Sequence, residues 1–244
     1  MTTAVIAASH GTSSPAGQAA VRRLVEAVDA AVASPVLGCH VDVEQPDVPS
    51  ALSAAAGLAD RATIVPLLLS AGYHVFVDLA ESAAAAALPT TVTGALGPDD
   101  RLVEVLLRRL QEAGLRDTDA VVLAAAGSSD ARAVTDCRTM ARLLASRIGR
   151  PVTAGFISAA APDLSTAVSM ARAGNPGARV VVATYLLAPG YFASLARTAG
   201  ADMVTEPLVT AESTPAELVE VVVDRLLTGL SGAVTGSAGR RSRP

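Results

Sequence analysis

The sequence predicts an α/β fold of two tandem, doubly wound units with parallel sheets. Three observations carry this. Short, almost wholly apolar runs alternate with longer amphipathic stretches, as parallel strands covered by helices on both faces require. The pattern then restarts near residue 118, with matching landmarks at a nearly fixed spacing. Finally, the 244 residues are 51% hydrophobic and 17% charged, with a mean hydropathy of +0.44, which supplies apolar side chains for a large core.

Thr3–Ser9 reads as the first strand; it stops at His10-Gly11-Thr12-Ser13-Ser14-Pro15, and a helical pattern runs from about Gly17 to Val32. Val36–Val43 reads as a second strand, followed by a helix near Pro49–Leu58. Ala62–Leu69 is nearly continuous in apolar residues, the signature of a strand buried on both faces. It ends in Ser70-Ala71-Gly72-Tyr73-His74, with a helix expected over Asp78–Ala87. A weaker strand at Thr91–Ala95 and a helix at Asp99–Ala113, closed by Gly114, complete the first unit. Ala120–Ala125, followed by Gly127-Ser128-Ser129, then repeats the opening. Pro46-Asp47 matches Pro162-Asp163, Gly72-Tyr73 matches Gly190-Tyr191, and Leu102-Val-Glu-Val105 matches Leu218-Val-Glu-Val221. The offset is 116 residues throughout, except for 118 at the Gly-Tyr pair. The expected organisation is one unit over 1–114, a second over 118–230, and a disordered Gly-, Ser- and Arg-rich tail over 231–244.

Composition removes several function classes. All 19 basic residues are Arg, so Schiff-base chemistry, pyridoxal phosphate and a P-loop lysine are excluded. A formal charge of −4, 2% aromatic residues and no Trp argue against nucleic-acid binding. Cys39 and Cys137 are too few for a four-cysteine metal site and read as two buried thiols in a reducing compartment. The first residues lack a secretory leader, and runs such as Ile64–Leu69 are too short to span a bilayer. The expectation is a soluble cytoplasmic protein, monomeric or dimeric, without membrane or nucleic-acid partners.

The chemistry concentrates on histidine. His10 closes the first strand and His74 follows the third. With strand order 2-1-3-4 those strands are neighbours, and ligands bind at the carboxyl edge of that switch point. Two imidazoles there suit Fe, Co, Ni or Zn better than Mg or Ca. Gly11 and Gly72 leave room for a ligand near the backbone. His40, next to Cys39 inside the second strand, reads as a partly buried structural residue. Tyr73 and Tyr191 recur in both units and read as packing residues. Asp78, four residues after His74, fits either a hydrogen bond that holds the imidazole or an N-cap. The pairs Ser13-Ser14 and Ser128-Ser129 fit helix caps or anion contacts. No nucleophile elbow, dinucleotide fingerprint, zinc-protease motif or P-loop is present.

The segments Ser9-His10-Gly11, Asp42-x-x-x-Pro46 and Gly72-Tyr-His74-x-x-x-Asp78, together with the duplication, resemble the sirohydrochlorin chelatases over residues 1–230. These are class II chelatases of the cobaltochelatase and sirohydrochlorin ferrochelatase type, in their two-unit form. The resemblance implies insertion of Fe(II) or Co(II), with Ni(II) a third candidate, into the tetrapyrrole sirohydrochlorin, in sirohaem or cobalamin synthesis. The metal is then a substrate, and no organic cofactor is expected. The family's metal-binding, proton-accepting residues match His10 and His74, and its strand-two acidic position matches Asp42, with Glu44 as another candidate. Ser9, Gly11, Gly72, Tyr73 and Phe192 are the further substrate-binding candidates, in a crevice between the units. In the second unit Ala126, Phe192 and Ser158 stand where the first has His10, His74 and Asp42, so one metal per chain is expected. A carrier of metal or tetrapyrrole with the same fold is the alternative.

Overall fold

The computed structural model describes residues 2–70 and 72–238, the side chains of residues 73–75 and 231–238 excepted. The first copy runs β1 (Thr3–Ser9), α1 (Pro15–Ala31), β2 (Val36–His40), α2 (Val48–Ala55), β3 (Arg61–Pro66), α3 (Tyr73–Ala85), β4 (Thr90–Val92), α4 (Asp100–Glu112). The second runs β5 (Ala120–Ala125), α5 (Ala131–Ile148), β6 (Val152–Phe156), α6 (Leu164–Gly174), β7 (Val180–Tyr185), α7 (Tyr191–Arg197), β8 (Met203–Val204), α8 (Ala216–Ala238). Each copy forms a four-stranded parallel sheet, ordered β2-β1-β3-β4 and β6-β5-β7-β8. The central strands β1 and β5 are buried almost throughout, as their unbroken apolar sequences demand.

Several boundaries differ from the sequence expectation. Helix α1 begins at Pro15, because Ser14 caps it by accepting the Gly17 N–H and proline suits the first helical position. Helix α3 begins at Tyr73, five residues earlier than expected, so His74 lies in its first turn. Gly72 is the N-cap there, and Asp78 is not one. Strand β2 stops at His40, since the chain turns away through Val43 at φ 66. Helix α8 continues to Ala238, through the first part of the segment read as a tail; residues 239–244 lie outside the described residues.

The final helices of the two copies are exchanged. Helix α4, from the first copy, packs on α5 and β7 of the second, whereas α8 packs on α1, β3 and β4 of the first. Leu102, Val103, Val105, Leu106 and Leu110 of α4 join Leu218, Val221, Val222 and Leu226 of α8 in one apolar cluster shared by both sheets. An arginine at the matching position of each helix fixes the exchange. Arg109 donates from Nε to the Pro207 carbonyl and from Nη2 to the Leu208 carbonyl, both at 3.0 Å. Arg225 donates from Nε to Ala95 and from Nη2 to Leu96, both at 2.8 Å. Each helix thereby grips the loop after the fourth strand of the other sheet. The outer faces of the sheets have their own smaller cores, around Ile6 and Ile64 in the first and Val122 and Val182 in the second. Among the described residues, no helix is long and apolar enough to cross a membrane.

Candidate active site

His10 is the first residue beyond β1 and is exposed to solvent. Its carbonyl accepts the Asp42 N–H at 3.0 Å, and the Ser9 carbonyl accepts that of Val41 at 2.9 Å, so the segments leaving β1 and β2 stay joined past the strand ends. Gly11, at φ +97, follows; a Cβ there would collide with the Asp42 carbonyl oxygen. The second copy has the same turn, with Gly127 at φ +91 against the Ser158 carbonyl. The backbone of the turn is thus common to both copies, and only the first carries His10 on it.

The side chains around the turn are specific to the first copy. Ser9, 2% exposed, has its Oγ 2.8 Å from Nδ1 of His40, its direct partner in the β1–β2 register. Glu44 places Oε1 3.7 Å from the same nitrogen and accepts the Thr12 N–H at 2.7 Å. Asp42 is exposed; its Oδ1 accepts the Val43 N–H at 2.7 Å. Ser9 and Glu44, two residues expected to meet substrate, are therefore bonded to protein, and Asp42 is the open carboxylate of this loop.

The second histidine approaches along the neighbouring strand. Residues β1 and β3 pair from Thr3↔Arg61 to Ala8↔Pro66, so the segment after β3 emerges at the same sheet edge as His10. His74 stands in the first turn of α3; its side chain and that of Tyr73 lie outside the described residues. Asp78 is exposed, four residues after His74 along α3. Among the described residues, no three His, Cys, Asp or Glu side chains cluster to hold a metal. The loop leading to α3 is held by the second copy: Tyr185 donates its hydroxyl to the Leu69 carbonyl at 2.9 Å, and burial raises its phenol well above the usual range. Cys137, its thiol pushed up to about 11 by burial against an opposing hydrogen bond with Ser70, lies at the same seam. Cys39 faces the outer core, and burial, with a smaller contribution from Asp47, raises it to about 12. Both thiols are free.

The second copy contributes aromatic surface. Tyr191 and Phe192 open α7 with ring centroids 6.1 Å apart, 71% and 36% exposed. Tyr191 is therefore no packing residue, contrary to the expectation from its recurrence. The backbone just before the pair meets the His10 turn. A Cβ on Gly190 would stand 3.1 Å from Thr12 Oγ1, and one on Gly17 would strike the Pro189 carbonyl. The aromatic pair thus borders the histidine turn across the seam between copies. Sequence reasoning placed Phe192 here but missed Tyr191 and the Ser9–His40–Glu44 cluster; the pairing register of β2 was the signal for the latter.

A duplicated α/β protein with a histidine at the switch point of one copy, and apolar residues at the equivalent point of the other, is the class that fold and site define. The chain belongs to the CbiX family, whose model matches residues 4–113 and again 120–199, once in each copy. No curated protein matches it. Among solved structures, SirB from Bacillus subtilis with Fe3+ superposes with a TM-score of 0.81 at 19% identity, covering 96% of this chain and 98% of that one. The sirohydrochlorin chelatase SirB from Bacillus subtilis subspecies spizizenii, in complex with cobalt, gives 0.73 at 19% identity over 92% and 94%. DR2241 from Deinococcus radiodurans, a multi-domain protein with structural similarity to chelatases, gives 0.62 at 18% over 92% of this chain and 54% of that one. These likenesses establish a shared fold.

Proposed function

We propose that the protein inserts a divalent metal, Fe(II) or Co(II), into sirohydrochlorin. One observation carries the reading: an exposed imidazole, His10, sits at the carboxyl edge of β1, where β1 and β3 adjoin and the segment bearing His74 emerges. Family membership supports it, as does the shared fold with SirB, a sirohydrochlorin chelatase in one structure and bound to Fe3+ or cobalt in the two.

The reaction asks little covalent chemistry of the protein. The ring releases two pyrrole protons and the metal gains bonds to the ring nitrogens, with no change of oxidation state. His10 and His74 offer imidazole nitrogens to a partly dehydrated cation on one face of the ring, and then serve as bases for the leaving protons. Asp42 adds an open carboxylate on the loop bonded to His10. Gly72 leaves open space at the start of α3, whereas Gly11 lets the turn carrying His10 close against the Asp42 carbonyl; Tyr73 remains a substrate-binding candidate, and Asp78 supports His74 along α3. Tyr191 and Phe192 give the macrocycle an apolar face on the opposite side of the crevice. Iron, cobalt and nickel accept the same donors, so the metal used follows supply.

The test is anaerobic mixing with sirohydrochlorin and each metal in turn, followed by the visible spectrum. Acceleration over the protein-free reaction is expected. A protein that binds ring and metal without accelerating metallation is a carrier, and the proposal fails.

A further inference from the structure

We infer that Ser9, His40 and Glu44 form a side-chain clamp that fixes the His10 turn for metal binding. They are positioning residues, and the inference rests on the reading of His10 as a metal ligand. The clamp holds both flanks of His10-Gly11. On one side His40 Nδ1 meets Ser9 Oγ at 2.8 Å; on the other Glu44 Oε1 receives the Thr12 N–H at 2.7 Å. The 3.7 Å approach of Glu44 Oε1 to His40 Nδ1 joins the two grips into one cluster.

The second copy is a control built into the same chain. At an offset of 116 residues, Ala125, Phe156 and Ala160 replace Ser9, His40 and Glu44. The backbone is otherwise the same. Ala125 pairs with Phe156 as Ser9 pairs with His40. The Phe156 N–H donates to the Pro162 carbonyl as the His40 N–H does to that of Pro46, both at 3.0 Å. The turn glycines have nearly equal φ. Phe156 fills the position as a core residue, 1% exposed. A ring fills this place in both copies, and an apolar one suffices in the second. Placing a buried serine with a part-buried imidazole and carboxylate there instead exchanges good packing for polar groups that must be mutually satisfied. That exchange occurs only in the copy whose turn bears a histidine. Its physical effect is to restrain the turn from both ends, which is what partners behind metal ligands do.

The direct test transplants the second copy's residues into the first, in the full chain: Ser9→Ala, His40→Phe and Glu44→Ala together. Thermal melting, anaerobic Co(II) affinity from the cobalt absorption, and the KM values for Co(II) and sirohydrochlorin are read on the same samples. The variant should melt at or above the wild-type temperature and lose Co(II) affinity by about tenfold or more. Its KM for sirohydrochlorin should stay within about twofold, since a clamp behind the metal ligand does not touch the ring. Glu44→Gln, which keeps an oxygen for the Thr12 N–H, should recover most of what Glu44→Ala loses. A folded triple variant, or a folded His40→Phe single variant, with unchanged Co(II) affinity would overturn the clamp. So would failure of all these variants to fold, because the claim is that the fold does not need the polar set. Absence of chelatase activity in the wild type would instead defeat the proposed function; the cobalt affinities would still decide the clamp.

Discussion

His10 contributes nothing visible to folding: it is exposed, and the second copy builds the same turn with Ala126. His10→Ala should therefore melt like the wild type while losing about 100-fold or more of the chelatase rate, the usual scale for removing a positioned base. His74→Ala should do the same; a folded His74→Ala running near wild-type speed would remove it from the site. A different residue governs acid stability. Asp119, 3% exposed, accepts Arg179 Nη2 at 2.7 Å, Nε at 3.2 Å and the Arg116 N–H at 2.8 Å. Those bonds, Arg179 first, hold its carboxyl below the usual range against the opposing effect of burial. A depressed carboxylate stabilises the fold above its ordinary value near 4, and that stability is lost as pH falls toward the folded value. Melting temperature should thus vary little between pH 7 and 5 on this account and drop below about pH 4. Asp119→Asn should melt lower at pH 7 and show a shallower acid slope; an unchanged acid slope would remove Asp119 from the explanation. His10 was legible in the sequence because a histidine ending an apolar strand is an unusual residue at a known ligand edge. The role of His40 was not, since its partner Ser9 lies 31 residues away and meets it only through strand pairing.

Among the elements, the exchange of α4 and α8 has the largest consequence. Each sheet is closed on its inner face with help from the other copy's last helix, so the two repeats of the sequence are not two self-sufficient bodies. Residues 1–114 expressed alone should expose the apolar faces of β3 and α4 and aggregate, and co-expression with the remaining residues should restore solubility. A well-folded, monomeric 1–114 would contradict the exchange. Arg109 is the more buried of the two clasps, so Arg109→Ala should cost about 3 kcal/mol in denaturant unfolding, and Arg225→Ala less. The strand–helix alternation that gave the fold class is a local signal, carried by runs such as Ala120–Ala125. Which sheet a helix covers is not local: α4 has a strong apolar stripe that would suit either sheet. The matched pair Arg109 and Arg225, set on those stripes at the same offset as the other landmarks, was the available hint. The early start of α3 at Tyr73 was hidden for a related reason, because Gly72 caps it without the side-chain acceptor that usually announces a helix.

For the whole molecule, the proposed function divides two tasks between the copies. Both copies keep the sheet, the glycine turn and the capping aspartates Asp47 and Asp163. The first keeps His10, the clamp and Asp42. The second offers Tyr191 and Phe192, and its Tyr185 steadies the loop that leads toward His74. The asymmetry could be read from the sequence once the landmarks were aligned, as Ala126, Ser158 and Phe192 are poor donors for a metal. The seam itself could not, because the contacts of Thr12 with Gly190 and of Gly17 with Pro189 join residues far apart in the chain. The central claim is that one copy holds the metal and the other completes the crevice. Anaerobic titration of the full chain with Co(II), beside the His10→Ala/His74→Ala double variant, tests it most directly. One equivalent should saturate the wild type, and the double variant should lose that site. Two equal tight sites per chain, the second surviving removal of both histidines, would contradict the account.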